Sequence, residues 1–153
     1  MFYNYSKFKY LYIIFINVYQ KVFEKKYNYK MINMTNVVKI AKMDEEKRKE
    51  EMSKVFGKIL KEKEEKQLKA LEEMIKDMKE ATDNEYIDLC LTNLGISASL
   101  PDDQLKAFVA IRMKANSELP DDIKSRDMKM LSTALGKAPE NVKTRISAFM
   151  PKN

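Results

Sequence analysis

Apolar residues recur every three or four positions along most of the chain, and this spacing predicts α-helices. Between residues 44 and 81, Glu, Lys, Met, Leu and Ala dominate and proline is absent. We therefore predict one long, charged amphipathic helix over residues 43–81, with Gly57 as its weakest point. Its apolar stripe consists of Met52, Val55, Phe56, Ile59, Leu60, Leu68, Leu71, Met74, Ile75 and Met78.

The middle of this predicted helix, KEKEEKQ at residues 61–67, has no apolar side chain to bury. We expect the helix to pack at both ends and to be solvated between them. A dimerising coiled coil is the alternative, and it would make the long helix a contact for a protein partner or a second copy of the chain. A continuous apolar seam favours such a coil, and here the seam is lost for about two turns.

A four-residue word recurs every nineteen residues in the second half of the chain. It reads ATDN at 81–84, LPDD at 100–103, LPDD at 119–122 and APEN at 138–141. Proline is tolerated in the first turn of a helix, and acidic side chains there face the positive end of the helix dipole. Each word therefore predicts a helix start. In the first word Thr82 replaces proline, and Glu85 follows at capping-box spacing.

An apolar stripe follows each word, and two stripes end at Gly95 and Gly136, which we predict to be C-terminal caps. The fold class is therefore all-α, with the long helix followed by a compact bundle of four short helices over residues 82–153. A stacked solenoid fits less well, because known repeats contain at least a helix pair per unit. The stripes are Ile87, Cys90, Leu91 and Leu94; Leu105, Phe108, Val109 and Met113; Ile123, Met128, Leu131 and Leu135; and Val142, Ile146, Phe149 and Met150.

This bundle offers few apolar side chains for its size, so we expect it to be marginally stable alone. We therefore predict that Phe56, Leu68 and Leu71 of the long helix dock on the bundle, or that a partner covers it.

Residues 1–42 differ from the rest of the chain in composition. Phe, Tyr, Asn, Lys and Ile make up 29 of these 42 residues, which is how AT-rich non-coding DNA would translate. We expect this basic, aromatic and isoleucine-rich segment to be disordered or to reflect a wrongly assigned start, with the protein beginning at Met43, Met31 or Met34. The alternative is a membrane-surface anchor at residues 10–19, YLYIIFINVY, so a membrane partner is expected only if residues 1–30 belong to the protein.

The net charge of +6 also comes from this segment, which contains eight lysines and a single acid, Glu24. Residues 43–153 contain 21 basic and 22 acidic residues, so they are almost neutral. A neutral domain is not typical of nucleic-acid-binding proteins, which usually present a basic face.

The composition also limits the available chemistry. With no histidine and one cysteine, the chain lacks the ligands of zinc-finger sites and every histidine-based acid–base scheme. Cys90 lies in an apolar stripe, and we predict that it is a core residue in a reducing, cytoplasmic setting. The pairs Asp102–Asp103 and Asp121–Asp122 are interpreted as helix starts and not as cation ligands. We therefore expect no enzyme activity, cofactor or metal.

Residues 127–150, DMKMLSTALGKAPENVKTRISAFM, resemble a bacterial or archaeal helix-turn-helix. The resemblance rests on Ser132 at the helix contact, Gly136 in the turn, and Val142 with Ile146 in the second helix. It implies DNA binding with the second helix in the major groove. The DNA-contacting residues would be Asn141, Lys143 and Thr144 at the bases, and Lys137 and Arg145 near phosphates.

Glu140 at the start of the second helix opposes this interpretation, because an acid there would face the phosphates. The function predicted first is therefore a non-catalytic protein–protein interaction or adaptor module. A helix-turn-helix DNA-binding regulator that uses residues 127–150 is the alternative.

Overall fold

The structure, a computed structural model, describes residues 36–152, and every element of secondary structure within them is helical. This confirms the all-α class. The predictions made for residues 1–35 lie outside the described residues. The seven α-helices are α1 (Val37–Ala41), α2 (Glu45–Ile59), α3 (Glu64–Asp77), α4 (Asp83–Ala98), α5 (Asp102–Ser117), α6 (Asp121–Lys137) and α7 (Glu140–Ser147), with a 3₁₀ turn at Met78–Glu80.

The single long helix predicted over residues 43–81 is wrong, because two helices, α2 and α3, occupy this range. Lys63 is extended between them, with a ψ of 152°. The main packing partner of α2 is α4, whereas that of α3 is α5. A straight helix of this length would span roughly 60 Å and could not follow both partners. The charged stretch without an apolar residue is therefore where the chain bends.

The short helix α1 lies within the range that the sequence assigned to the N-terminal segment. Its residues Val37, Ile40 and Ala41 are at most 3% exposed, and α1 packs against α4. Asn36 begins α1, because its Oδ1 accepts the backbone N–H of Lys39 at 3.0 Å. The helical fold thus includes residues both before and after residue 43.

The nineteen-residue spacing of helix starts is confirmed. The helices α4, α5, α6 and α7 begin at Asp83, Asp102, Asp121 and Glu140. The predicted capping box is present before α4: Thr82 Oγ1 accepts from the N–H of Glu85 at 3.2 Å, and Glu85 Oε2 accepts from the N–H of Thr82 at 2.9 Å.

The prolines lie one residue earlier than the first helical turn in which we expected them. Pro101, Pro120 and Pro139 are N-cap residues with extended backbones. The carbonyls of Pro101 and Pro120 each accept the N–H four residues ahead at 2.9 Å. Proline has no N–H to leave unpaired and its φ is already restricted, so it suits this junction.

The predicted glycine caps are wrong. The helix α4 continues through Gly95 to Ala98, and Gly136 lies inside α6. Neither glycine has a positive φ, which a left-handed cap would require. Ser99 ends α4 with an ordinary right-handed conformation.

Helix α4 is the centre of the fold. It packs against α1, α2, α6 and α7, and the most extensive packing is between helices two apart in the chain, such as α4 with α6. The predicted docking of Phe56 is confirmed, because its ring centroid lies 4.9 Å from that of Phe108 on α5. Six residues of α4 are themselves buried: Tyr86, Ile87, Leu89, Cys90, Leu94 and Ser97.

None of the helices within residues 36–152 has the length and apolar character needed to cross a bilayer.

The helical conformation of Gly95 leads to a stability prediction. A Cβ built on Gly95 would meet no atom within 4 Å. We expect Gly95→Ala to raise the free energy of unfolding by about 0.5–1 kcal/mol, because alanine loses less backbone entropy in a helix. Urea unfolding measures the change. A lower stability would indicate that the helix ends at this glycine, as the sequence alone suggested.

Candidate functional site

A buried carboxylate lies where α4, α5 and α6 meet. Asp127 on α6 has no exposed surface. Arg112 on α5 donates from Nη1 to Asp127 Oδ2 at 2.9 Å and from Nη2 to Asp127 Oδ1 at 2.6 Å. Asn116, one turn further along α5, donates to Oδ2 at 2.7 Å, and the Tyr86 hydroxyl of α4 donates to Oδ1. Both carboxylate oxygens therefore have two donors each.

The charges in this cluster favour a fixed protonation state. Although burial works against a charged guanidinium, the carboxylate of Asp127 holds the pKa of Arg112 above its ordinary value. Burial and the neighbouring Asp127 both raise the pKa of Tyr86, so its hydroxyl stays protonated and donates. Because the carboxylate is fully paired and the tyrosine stays protonated, this cluster is better suited to joining three helices than to transferring protons.

The apolar stripe predicted for α6 is displaced from the most buried face. Met130 and Ala134 are buried beside Asp127, whereas Leu131 and Leu135 are only half-buried. The sequence did contain an indication that Asp127 is buried. Asp127 stands three residues before Met130 and seven before Ala134, so it shares a helix face with these two buried apolar residues. An acid at a stripe position indicates a buried ion pair, but its partners could not be identified from sequence.

Two arginines, nineteen residues apart, join helix ends across the fold. Arg126 on α6 donates to the carbonyls of Met78 and Ala81, at 2.9 and 2.7 Å, and to Asp83 Oδ1 at 2.9 Å. These acceptors lie at the junction that precedes α4. The arginine therefore binds two backbone carbonyls at the end of one helical segment and the first acid of the next.

Arg145 on α7 repeats this arrangement at the junction between α4 and α5. It donates to the carbonyls of Ala98 and Leu100, at 3.0 and 2.6 Å, and to Asp102 Oδ1 at 2.6 Å. In both cases the arginine comes from the second helix after the one that its acid begins. The acidic residue of the repeated word therefore has a tertiary role in these two copies, in addition to starting a helix.

The residues of the DNA-binding alternative lie around the α6–α7 turn. Lys137, Asn141 and Thr144 are exposed. Lys143 is half-buried, with its Nζ 3.6 Å from Glu140 Oε2. The guanidinium of Arg145 is engaged by the α4–α5 junction, so it has fewer donors left for a phosphate.

A partly open apolar cleft of about 90 Å³ lies next to the buried ion pair. Four methionines, Met74, Met78, Met113 and Met150, contribute to its walls. Arg112 is the one lining residue that carries a charge, and that charge is paired with Asp127. The other lining residues are Phe56, Leu71, Ile75, Tyr86, Leu89, Cys90, Asn93, Leu94, Ser97, Phe108, Val109, Leu131, Leu135 and Ile146.

Four residues of α4 with polar side chains line this cleft, and two of them, Cys90 and Asn93, bear on its chemistry. Burial raises the pKa of the Cys90 thiol to about 12, so it is protonated at neutral pH. The predicted core position of Cys90 is confirmed, since it is 5% exposed. The side-chain oxygen of Asn93, Oδ1, is buried without a hydrogen-bond partner, and among residues 36–152 no other buried side-chain nitrogen or oxygen lacks one.

Within the described part of the chain, no three acidic or cysteine side chains are grouped closely enough to hold a metal ion. Comparisons of this chain with protein-family models, with curated proteins and with solved structures gave no match. The interpretation of the cleft therefore rests on its own geometry.

The buried ion pair can be compared with an exposed one in the same fold. We expect Asp127→Ala to cost roughly 3–5 kcal/mol, because it leaves the mostly buried guanidinium of Arg112 without its counterion. The matched control is Asp102→Ala, which removes the exposed partner of Arg145 and should cost about 1 kcal/mol or less. Chemical unfolding of both variants measures the difference. Equal losses would contradict a structural role specific to Asp127.

Proposed function

We propose that this protein is a non-catalytic helical module that binds a protein partner, and that the apolar cleft receives part of that partner. The observation that carries the proposal is the cleft itself, which is partly open and lined mainly by apolar side chains. Apolar surface left uncovered in a folded protein often marks a binding site. The contact predicted through a long helix is replaced here, because the apolar faces of α2 and α3 are buried within the chain.

The side chains around the cleft suit contact with another protein. Methionine is flexible and polarisable, so it adapts to differently shaped partners. Half-buried Met74, Met113, Leu131, Leu135 and Met150 lie among the lining residues and are within reach of a partner. Since the charge of Arg112 is already paired, we expect the inserted group to be uncharged.

The absence of catalysis is part of the same proposal. A thiol protonated at neutral pH is a poor nucleophile, and Cys90 is the single cysteine of the chain. The raised pKa of Tyr86 makes it a poor acid or base at neutral pH. A cytoplasmic setting is proposed as well, because a lone reduced cysteine fits a reducing compartment.

A pull-down with matched variants tests the partner. Leu131→Gln combined with Leu135→Gln makes the cleft polar, whereas Ala107→Gln combined with Ala110→Gln changes two exposed positions of α5. We expect the full-length protein and the α5 variant to recover the same partner from extract of its own cells. The cleft variant should recover about tenfold less, because buried anchors dominate interface energies.

Circular dichroism of both variants verifies that they are folded. Equal recovery by the two variants would contradict docking in the cleft. A strictly monomeric protein with no recovered partner would contradict the interaction module altogether.

DNA binding is retained as the second candidate, because α6 and α7 form a helix pair with Lys137, Asn141 and Thr144 exposed around its turn. If it is correct, the full-length protein retains mixed duplex DNA at low salt, and Lys137→Ala with Lys143→Ala weakens retention by removing phosphate contacts. Arg145 is left unchanged in this variant because it holds the α4–α5 junction. No retention by the unaltered protein at low salt would end this alternative.

A further inference from the structure

Arg48 of α2 is a mostly buried cation whose hydrogen-bond acceptors are all neutral. Its side chain joins the α1–α2 junction to α4, and the residue is 8% exposed. Nε donates to Thr92 Oγ1 at 2.9 Å, while Nη1 donates to the carbonyls of Met43 and Ala41 at 2.7 and 3.4 Å. None of these acceptors offsets the charge of the guanidinium, although burying a charge without a counterion is costly.

The other arginines of the chain each have a carboxylate partner. The three pairs are Arg112–Asp127, Arg126–Asp83 and Arg145–Asp102. Within residues 36–152, no acidic side chain forms an ion pair with Arg48. The acid that directly follows Met43, Asp44, is engaged by its own helix, because its Oδ1 accepts the N–H of Lys47 at 3.0 Å.

One terminal nitrogen of Arg48 remains available to a ligand. Nη2 has no hydrogen-bond acceptor among the described residues, since the side chain uses only Nε and Nη1 there. Nη2 also keeps some exposed surface, because the one fully buried side-chain nitrogen or oxygen without a partner in this part of the chain is Asn93 Oδ1. A group from outside can therefore contact Nη2 directly and accept from its N–H donors.

The two arginines that join helix ends, Arg126 and Arg145, indicate the chemistry of that group. Each donates to two backbone carbonyls at a helix junction, as Arg48 does. Each also binds one carboxylate oxygen, at 2.9 and 2.6 Å. A carboxylate on Nη2 would complete the same set of contacts at Arg48 with a charge-assisted hydrogen bond, which is stronger than a neutral one.

We propose that Arg48 Nη2 is a binding site for a carboxylate ligand. Arg48 is not among the residues that line the apolar cleft, so the site is separate from the one in the proposed function. The carboxylate belongs either to a small anion or to an acidic side chain of the protein partner, and the experiments below distinguish these sources.

The first test is a titration of the full-length protein with sodium acetate at constant ionic strength, followed by the NMR signals of the arginine Nε–H groups. Acetamide is the control ligand, because it has the size of acetate without its charge. We expect a saturable shift at Arg48 and little change at the three arginines that already have carboxylate partners. Acetate should bind about tenfold more tightly than acetamide, which is the difference between a charged and a neutral hydrogen bond.

Arg48→Gln identifies the responding signal, because it removes the guanidinium and with it that signal. A shift at Arg48 that never saturates, an equal response to acetamide, or equal shifts at the three paired arginines would overturn the proposal. This titration needs no partner protein, so its failure leaves the pull-down result unaffected and the two proposals are tested separately.

The second test assigns the source of the carboxylate by pull-down. Arg126→Gln is the matched control for Arg48→Gln, because Arg126 holds a helix junction and already has its own carboxylate. If the partner supplies the carboxylate, Arg48→Gln should recover about tenfold less of it than Arg126→Gln does, since a hydrogen bond to a charged group is lost. Equal recovery by the two folded variants would assign the site to a small carboxylate anion.

Discussion

The fold depends on one buried ion pair, between Asp127 of α6 and Arg112 of α5, with Tyr86 of α4 completing it. A carboxylate removed from water is tolerable only when its lone pairs are satisfied, and here they receive four hydrogen bonds from three side chains. Those partners come from two other helices, so the requirement sets how α4, α5 and α6 are placed against one another. The hydrophobic effect is non-directional and would not specify this placement by itself.

The repeated word has a second physical meaning in the folded chain. Asp83 and Asp102 begin helices, and each also binds an arginine from the second helix after its own. The same arginines, Arg126 and Arg145, also donate to backbone carbonyls of Ala81 and Leu100, which follow the ends of helical segments. These polar contacts therefore tie α6 and α7 to the junctions before α4 and α5.

The cleft follows from this arrangement of helices. Residues of α2 to α7 line it, and α4 contributes its buried centre with Cys90 and Asn93. The ion pair neutralises Arg112 beside the cleft, so a neutral apolar occupant is favoured over a charged one. The buried ion pair and the chemistry proposed for the cleft are in this way linked through a single arginine.

The sequence by itself determined the helical class and the positions at which α4 to α7 begin, because proline, threonine and acids act within one turn of their own residue. It also indicated the core position of Cys90, which follows from local apolar spacing, and the docking of Phe56, which follows from the marginal stability expected of the bundle alone. The bend between α2 and α3, the helix ends beyond Gly95 and the partners of Asp127 were decided by the tertiary structure. Tyr86 and Asp127 are 41 residues apart, and contacts over such separations depend on how whole helices pack, which no local pattern encodes.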